Sequence, residues 1–265
     1  MFHFKQLIMY GMCNNSMTIT YDDVKKAQET QSEIIRKTSL EFSETFSKIC
    51  GAKVFLKNEY EQKTGSFKIR GAYYKIKSLT DEQKSKGVVA ASAGNHSQGV
   101  AFASNIENIP CTIVMPRTAS PAKVAATKSY GAKVVLEGST YDESWDYAQK
   151  ISAETNATVI HAFDDSNVIA GQGVIGLEIM EELPDVDEIY VPIGGGGLVA
   201  GIITAVKDKH PHVKIIGVES SAYPAMKKSL ENHSLETVSG DTTIADGISV
   251  KTPGKLTFDI VREKI

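Results

Sequence analysis

The hydrophobic pattern changes period along this chain. Thr20-Tyr21-Asp22-Asp23 places a capping hydroxyl and two acids ahead of Val24, Ala27, Gln31 and Ile34, a spacing that predicts a first helix. Short β-branched runs then appear at 53–57, 88–91, 112–115, 133–136, 158–161, 188–192 and 214–219. Helical periodicity fills most of the gaps, at 66–78, 95–105, 121–130, 142–155, 166–182, 198–210 and 222–231. Short apolar strands alternating with helices belong to parallel sheets covered on both faces. The pattern therefore predicts an α/β protein whose functional loops gather at the carboxyl ends of its strands. No internal repeat, low-complexity tract or long linker breaks it.

Composition narrows the function classes. With 265 residues, 42% of them hydrophobic, the chain has enough apolar mass for one large or two modest domains. A net charge of −3 and a pI near 6.1 supply no basic field, which argues against nucleic-acid and membrane partners. Cys13, Cys50 and Cys111 are odd in number, widely spaced and without a Cys/His cluster, so we expect no metal site and a reducing, cytoplasmic setting. The apolar run at residues 7–10 is too short for a signal peptide or a membrane span. Residues 1–19 are expected to be a disordered leader, with Met17 standing just before the first helix signal.

Three segments carry candidate chemistry. Lys68 lies in Thr64-Gly65-Ser66-Phe67-Lys68-Ile69-Arg70-Gly71-Ala72, after the apparent strand at 54–59. Most lysines are solvated charge, but one at a helix start beside an aromatic ring is desolvated and held still, as a Schiff-base amine must be. Gly65 is expected to make the turn and Ser66 to cap the helix. The second segment is Ser92-Ala93-Gly94-Asn95-His96-Ser97-Gln98-Gly99, whose small residues and free N–H groups suit a carboxylate or a phenolate oxygen. A well-capped turn with a hydrogen-bonded His96 is the plain alternative. The third, Gly194-Gly195-Gly196-Gly197-Leu198, follows a strand and opens an apolar helix, as a phosphate-binding nest does. It lacks the Lys-Ser/Thr of a nucleoside-triphosphate loop. Gly195-x-Gly197-x-x-Ala200 with Glu219 further on also meets a relaxed dinucleotide fingerprint, which keeps an NAD-dependent oxidoreductase as a rival that gives Lys68 and Asn95 no role.

Taken together, and in this order, the three segments resemble the threonine ammonia-lyase (threonine dehydratase) and serine dehydratase family of fold type II pyridoxal-phosphate enzymes. The resemblance runs from about Ile19 to Ile265 and takes in Ile244-Ala245-Asp246-Gly247-Ile248 and Pro253-Gly254-Lys255-Leu256-Thr257. It implies two parallel-sheet domains of the tryptophan synthase β-like architecture: a large cofactor-binding domain of residues 20–61 and 163–265, and a small mobile domain of 62–162. It implies that Lys68 forms the Schiff base with pyridoxal 5′-phosphate and acts as the catalytic base, and that Phe67 packs by the cofactor ring. Asn95 would bind the phenolic oxygen, Gly194, Gly195, Gly196, Gly197 and Leu198 the phosphate, and Ser92, Ala93, Gly94, Asn95 and His96 the substrate carboxylate. The implied reaction is α,β-elimination of L-threonine, and of L-serine, to 2-oxobutanoate or pyruvate with ammonia, in a homo-oligomer serving isoleucine biosynthesis or threonine catabolism.

His96-Ser97-Gln98 after the asparagine sets the chain apart from sulfhydrylase-type members, which carry Thr-Ser-Gly-Asn-Thr-Gly, and points to the dehydratase and racemase branch. A serine racemase-like activity is the alternative within that branch. Some racemase-like relatives hold a divalent cation near the position of Glu219, but Tyr223 and Ala225 do not match the accompanying pattern, so no metal is expected. The resemblance also implies a serine or cysteine facing the pyridine nitrogen, beyond the position of Ile265. We therefore expect the C-terminal part to be missing, some core surface to be uncovered, and a catalytically dead ligand-binding fragment to stand as a further alternative.

Overall fold

The structure is a computed structural model and describes residues 19–264, so the expected leader lies, Ile19 apart, outside the described residues. Helix α1 (Tyr21–Gln31) starts as its sequence dictates: the Thr20 hydroxyl accepts the Asp23 N–H, and the Asp23 carboxylate accepts the Thr20 N–H. Strand β1 (Leu40–Phe42), helix α2 (Glu44–Cys50) and strand β2 (Phe55–Lys57) follow, with β1 and β2 antiparallel and Leu40 opposite Lys57. This pair departs from the all-parallel expectation. Three residues in β1 and a fully unburied α2 are too little periodic signal to read from sequence. Phe42, Phe46, Ile49 and Leu56 remain exposed on this hairpin.

A 3-10 turn at Glu59–Glu61 and a further loop separate β2 from α3 (Lys68–Lys77), so the strand does not run directly into the lysine helix. Next come α4 (Asp81–Lys86), β3 (Val88–Ala91), α5 (Asn95–Ile106), β4 (Cys111–Met115), α6 (Pro121–Ser129), β5 (Lys133–Leu136), α7 (Tyr141–Thr155) and β6 (Thr158–Val159). Their strands form a parallel sheet in the order β5-β4-β3-β6. Every residue of β3 is buried because the pleat divides it between two layers. Val88 and Ala90 pack with Ile69 of α3 and Val100 of α5, whereas Val89 and Ala91 pack with Ala148 of α7.

The chain continues through α8 (Ser166–Glu182), β7 (Glu188–Pro192), α9 (Gly197–Lys207), β8 (Lys214–Val218), α10 (Ala225–Glu231) and α11 (Lys255–Lys264), with β7 and β8 parallel. The expected helix at 166–182 and the strands at 88–91, 133–136 and 188–192 agree with the structure at both ends. The expected helix at 222–231 loses its first turn to Pro224, because the residue before a proline is held out of the helical region. A second core unites Val24, Ile169, Val191, Ile203 and Val261, and α3 serves both cores: Tyr74 joins this one while Ile69, Tyr73 and Ile76 join the sheet.

Helix α8 touches its neighbours at backbone distance. A Cβ on Gly171 would lie 2.7 Å from the Arg70 carbonyl oxygen and 2.8 Å from Gly71 Cα, and one on Gly201 of α9 would collide with the Ile169 carbonyl. Across this contact the fully buried Arg70 guanidinium meets two carboxylates. Its Nη1 and Nη2 donate to Glu178 at 2.7 and 2.9 Å, and its Nε and Nη2 to Glu59 at 2.8 and 2.7 Å. Lys57 adds a further contact to Glu178 at 2.8 Å. Two forked, charge-assisted pairs thereby join the 3-10 turn, α3 and α8. Arg70→Met removes the cation, leaving Glu59 without its ionic partner and Glu178 with Lys57 alone, so urea denaturation should show a loss of about 3–5 kcal/mol.

Candidate active site

All three chemistry-bearing segments open helices: Lys68 is the first residue of α3, Asn95 of α5 and Gly197 of α9. The Lys68 amine donates to the Ala162 carbonyl at 2.9 Å and lies 5.3 Å from the centre of the Phe67 ring. Burial lowers its pKa from the usual 10.5 to about 8. The expected Ser66 cap is not made. Phe67 occupies the N-cap position in helical conformation, and the buried Ser66 hydroxyl has no partner among the described residues. Gly65, with φ at +70°, supplies the left-handed turn before the lysine.

The α5 loop packs directly on the lysine helix, since a Cβ on Gly99 would lie 3.0 Å from the Ile69 nitrogen. In this loop the Ser92 hydroxyl accepts from the Gly94 N–H at 3.2 Å, and Ala93 packs against the sheet core. His96 turns inward and its Nε2 donates to the Ile160 carbonyl at 2.9 Å. Burial, with Lys68 nearby, pushes its pKa down to about 3, so the ring is neutral. What the loop offers outward is the exposed Asn95 side chain and the N–H groups of Asn95 and His96, which donate to no described residue.

The glycine loop is a cradle of amides. The N–H groups of Gly194, Gly195, Gly196, Gly197 and Leu198 have no acceptor among the described residues, and they surround the start of α9. A row of donors at a helix N-terminus matches a phosphate in charge and hydrogen-bonding capacity. The glycines have a second reason as well. A Cβ on Gly195 would enter the Phe163 ring, and Gly196, at φ +94°, has no room beside Met226 and Thr257. Helix α11 straps this loop from behind: the Thr257 hydroxyl donates to the Gly195 carbonyl at 2.6 Å, and the Gly254 N–H to the same oxygen at 3.1 Å.

One stretch that no sequence motif singled out connects all three. In residues 160–165 the Ile160 carbonyl receives His96, the Ala162 carbonyl receives Lys68, and Phe163 backs the glycine loop. Asp164 accepts the N–H groups of Lys255, Leu256 and Thr257 at 3.1, 2.9 and 3.2 Å, capping α11 from outside its own segment. Asp165 caps α8 and pairs with Lys75 at 2.7 Å. The expected strand at 158–161 stops at Val159 where these carbonyls begin to serve side chains.

Glu219 does not act as the ribose-binding acid of the rival reading. Its two carboxylate oxygens accept the Met226 and Lys227 N–H groups, each at 2.8 Å, at the start of α10. No group of three or more His, Cys, Asp or Glu suited to a metal occurs among the described residues, and none of the described helices is long and apolar enough to cross a membrane.

Known proteins resemble the chain over most of its length. The family described as pyridoxal-phosphate dependent enzyme matches residues 31–265. An L-threonine ammonia-lyase of Thermotoga maritima is 51% identical over 247 residues, which is 93% of this chain and 62% of the relative. The chain thus spans about six tenths of that protein. Among solved structures, processed threonine deaminase isoform 2 of Solanum lycopersicum superimposes with a TM-score of 0.89 at 39% identity, covering 92% of this chain and 68% of that one. Maize serine racemase gives 0.90 at 36% identity, covering 93% and 74%.

Two tests follow from this geometry. Because the amine's pKa is lower folded than unfolded, the folded state binds fewer protons between about pH 8 and 10.5, and the stability linked to Lys68 is lost as pH falls through 8. Lys68→Met should therefore unfold at higher urea than wild type at pH 7, and the gap should close as pH rises toward 10.5. Gly196→Ala, strained at positive φ and crowded by Thr257, should weaken pyridoxal 5′-phosphate binding about tenfold in a fluorescence titration.

Proposed function

The chain belongs to the family of pyridoxal-phosphate dependent enzymes, and from that premise we propose that it is part of an ammonia-lyase converting L-threonine, and L-serine, to 2-oxobutanoate or pyruvate with ammonia. The observation that carries this reading is the meeting of a desolvated lysine with an acceptor-free amide cradle. Lys68 donates to Ala162, and the next residue, Phe163, packs on Gly195. The amine and the glycine loop are thereby tied to adjacent residues of one turn, which supports their serving one site. Its residues suit the cofactor: Lys68 would bind its aldehyde carbon, the amides of Gly194 to Leu198 its phosphate, Asn95 its ring oxygen, and Phe67 would lie beside its ring.

When bound, the cofactor supplies an electron sink for charge developing at the substrate α-carbon. The remaining work belongs to the chain. With a pKa near 8, the Lys68 amine takes up and returns a proton at near-neutral pH, which an ordinary lysine does poorly. The Asn95 and His96 N–H groups at the positive end of α5 bind the substrate carboxylate and aim its α-proton at Lys68. Neutral His96 fixes that loop to residue 160 without adding a charge that would compete for the carboxylate. The distinct core around β3 and β4 supports a small domain within residues 62–162 that moves against a large one of 20–61 and 163–265 and excludes water on closing, with α3, packed into both cores and locked to α8 through Arg70, as its fixed edge.

A turnover assay tests the proposal. Full-length protein supplied with pyridoxal 5′-phosphate should release ammonia and 2-oxobutanoate from L-threonine, and Lys68→Ala should cut the rate about 10²–10⁴-fold. Cofactor binding without keto-acid release would reject the lyase reading, and D-serine formed from L-serine without pyruvate would move the assignment to racemisation.

A further inference from the structure

His161 has no role in the reading above, yet it sits at the centre of the segment that joins the three motifs. Its Nδ1 accepts two backbone N–H groups of its own turn, Phe163 at 3.2 Å and Asp164 at 2.8 Å. This is the arrangement by which an Asn or Asp side chain closes a turn, performed here by an imidazole. Accepting both donors requires Nδ1 without a proton, so the neutral ring carries its hydrogen on Nε2. The ring is wedged edge-to-face between Trp145, with centres 5.0 Å apart, and Phe163, at 4.6 Å. The turn it closes presents the Ala162 carbonyl to Lys68, the Phe163 ring to Gly195, and the Asp164 carboxylate to α11.

We propose that His161 is a positioning residue for cofactor capture: by accepting the Phe163 and Asp164 N–H groups it sets the turn that aims the Lys68 amine and braces the glycine cradle. The inference rests on the assignment of Lys68 and the glycine loop to pyridoxal 5′-phosphate. A proton on Nδ1 would replace an acceptor with a donor facing two donors, and the turn would open. Burial keeps that proton off, holding the His161 pKa below the usual histidine range. Lys68 on α3 disfavours a charge there, Asp164 and Asp165 on its own segment favour one, and the neutral His96 on α5 and the Trp145 ring from α7 add none.

Trp145 reports on the proton, since a charged imidazole against an indole changes its emission, and a Trp145→Phe control isolates its signal in the full-length protein. In full-length protein, titration with pyridoxal 5′-phosphate should show His161→Phe, which keeps a ring but loses the acceptor, binding about tenfold more weakly than wild type. His161→Asn restores an acceptor for the same N–H pair and should bind within about threefold of wild type. Ligand-free wild type should show an acid-range change in Trp145 emission over the same pH interval in which cofactor affinity falls, and His161→Asn should lose the emission change and flatten that part of the affinity profile. Equal affinity of His161→Phe and wild type, His161→Asn as weak as His161→Phe, or an affinity profile unchanged by His161→Asn would each overturn the proposal. Should His161→Phe not fold, the wild-type and His161→Asn profiles decide alone. Failure of wild type to bind the cofactor at all would instead overturn the functional reading.

Discussion

The buried contact between Arg70 and the carboxylates of Glu59 and Glu178 is the constraint on which the rest of the molecule depends. A guanidinium enclosed to this degree is tolerated only when its donors meet acceptors in good geometry. That demand fixes three elements at once, because the acceptors come from the turn after β2 and from the C-terminal third of α8. Apolar packing alone permits helices to slide by fractions of a turn with little penalty, whereas a forked ionic contact has one register. The glycine contacts between α3 and α8 enforce the same register sterically. Lys68 stands two residues before Arg70, so the position of its amine along α3 is a consequence of that lock.

The site is built from main chain more than from side chains. Helices α3, α5 and α9 direct their amino ends inward, and each brings the positive end of a peptide dipole. The nearby carboxylates are already engaged: Asp164 with α11, Asp165 with α8 and Lys75, Glu219 with α10. What remains, once these carboxylates are engaged, is a surplus of unpaired N–H donors among the described residues, an environment suited to a ligand with a phosphate and a carboxylate. The neutral states of His96 and His161 belong to the same scheme, since imidazolium beside Lys68 would raise the penalty of holding that amine in the interior.

Much of this was legible in the chain because it rests on local rules. The helix at 166–182 and the strands at 88–91 and 188–192 follow from periodicity, and two of the three motifs mark themselves by clustered small residues at strand ends, the third by a glycine turn and an aromatic beside its lysine. Other parts rest on contacts that leave no trace in residue type. Any residue owns a carbonyl, so nothing in Ile160 or Ala162 announces that its oxygen receives the side chain of His96 or Lys68. Asp164 reads as a helix-start acid for its own segment, but it caps a helix 92 residues later. Ser66 misled for the opposite reason: its type favours a cap, while the backbone at Phe67 is already helical and leaves the hydroxyl nothing to bind. The antiparallel β1–β2 pair was hidden by brevity, and the charge of Arg70 conceals its place at the centre of the core.

The strap from α11 has a consequence for the order in which the protein is made. Gly195 is braced by Thr257, 62 residues further along, and Thr257 is itself held by Asp164. A nascent chain therefore displays the lysine, the asparagine loop and the four glycines well before the residues that hold those glycines in place have left the ribosome. Long-range closures of this kind come late and slowly. The amide nest becomes rigid only after residues 254–257 have emerged, so its ligand is captured by an already folded region rather than serving as the template around which the early chain collapses.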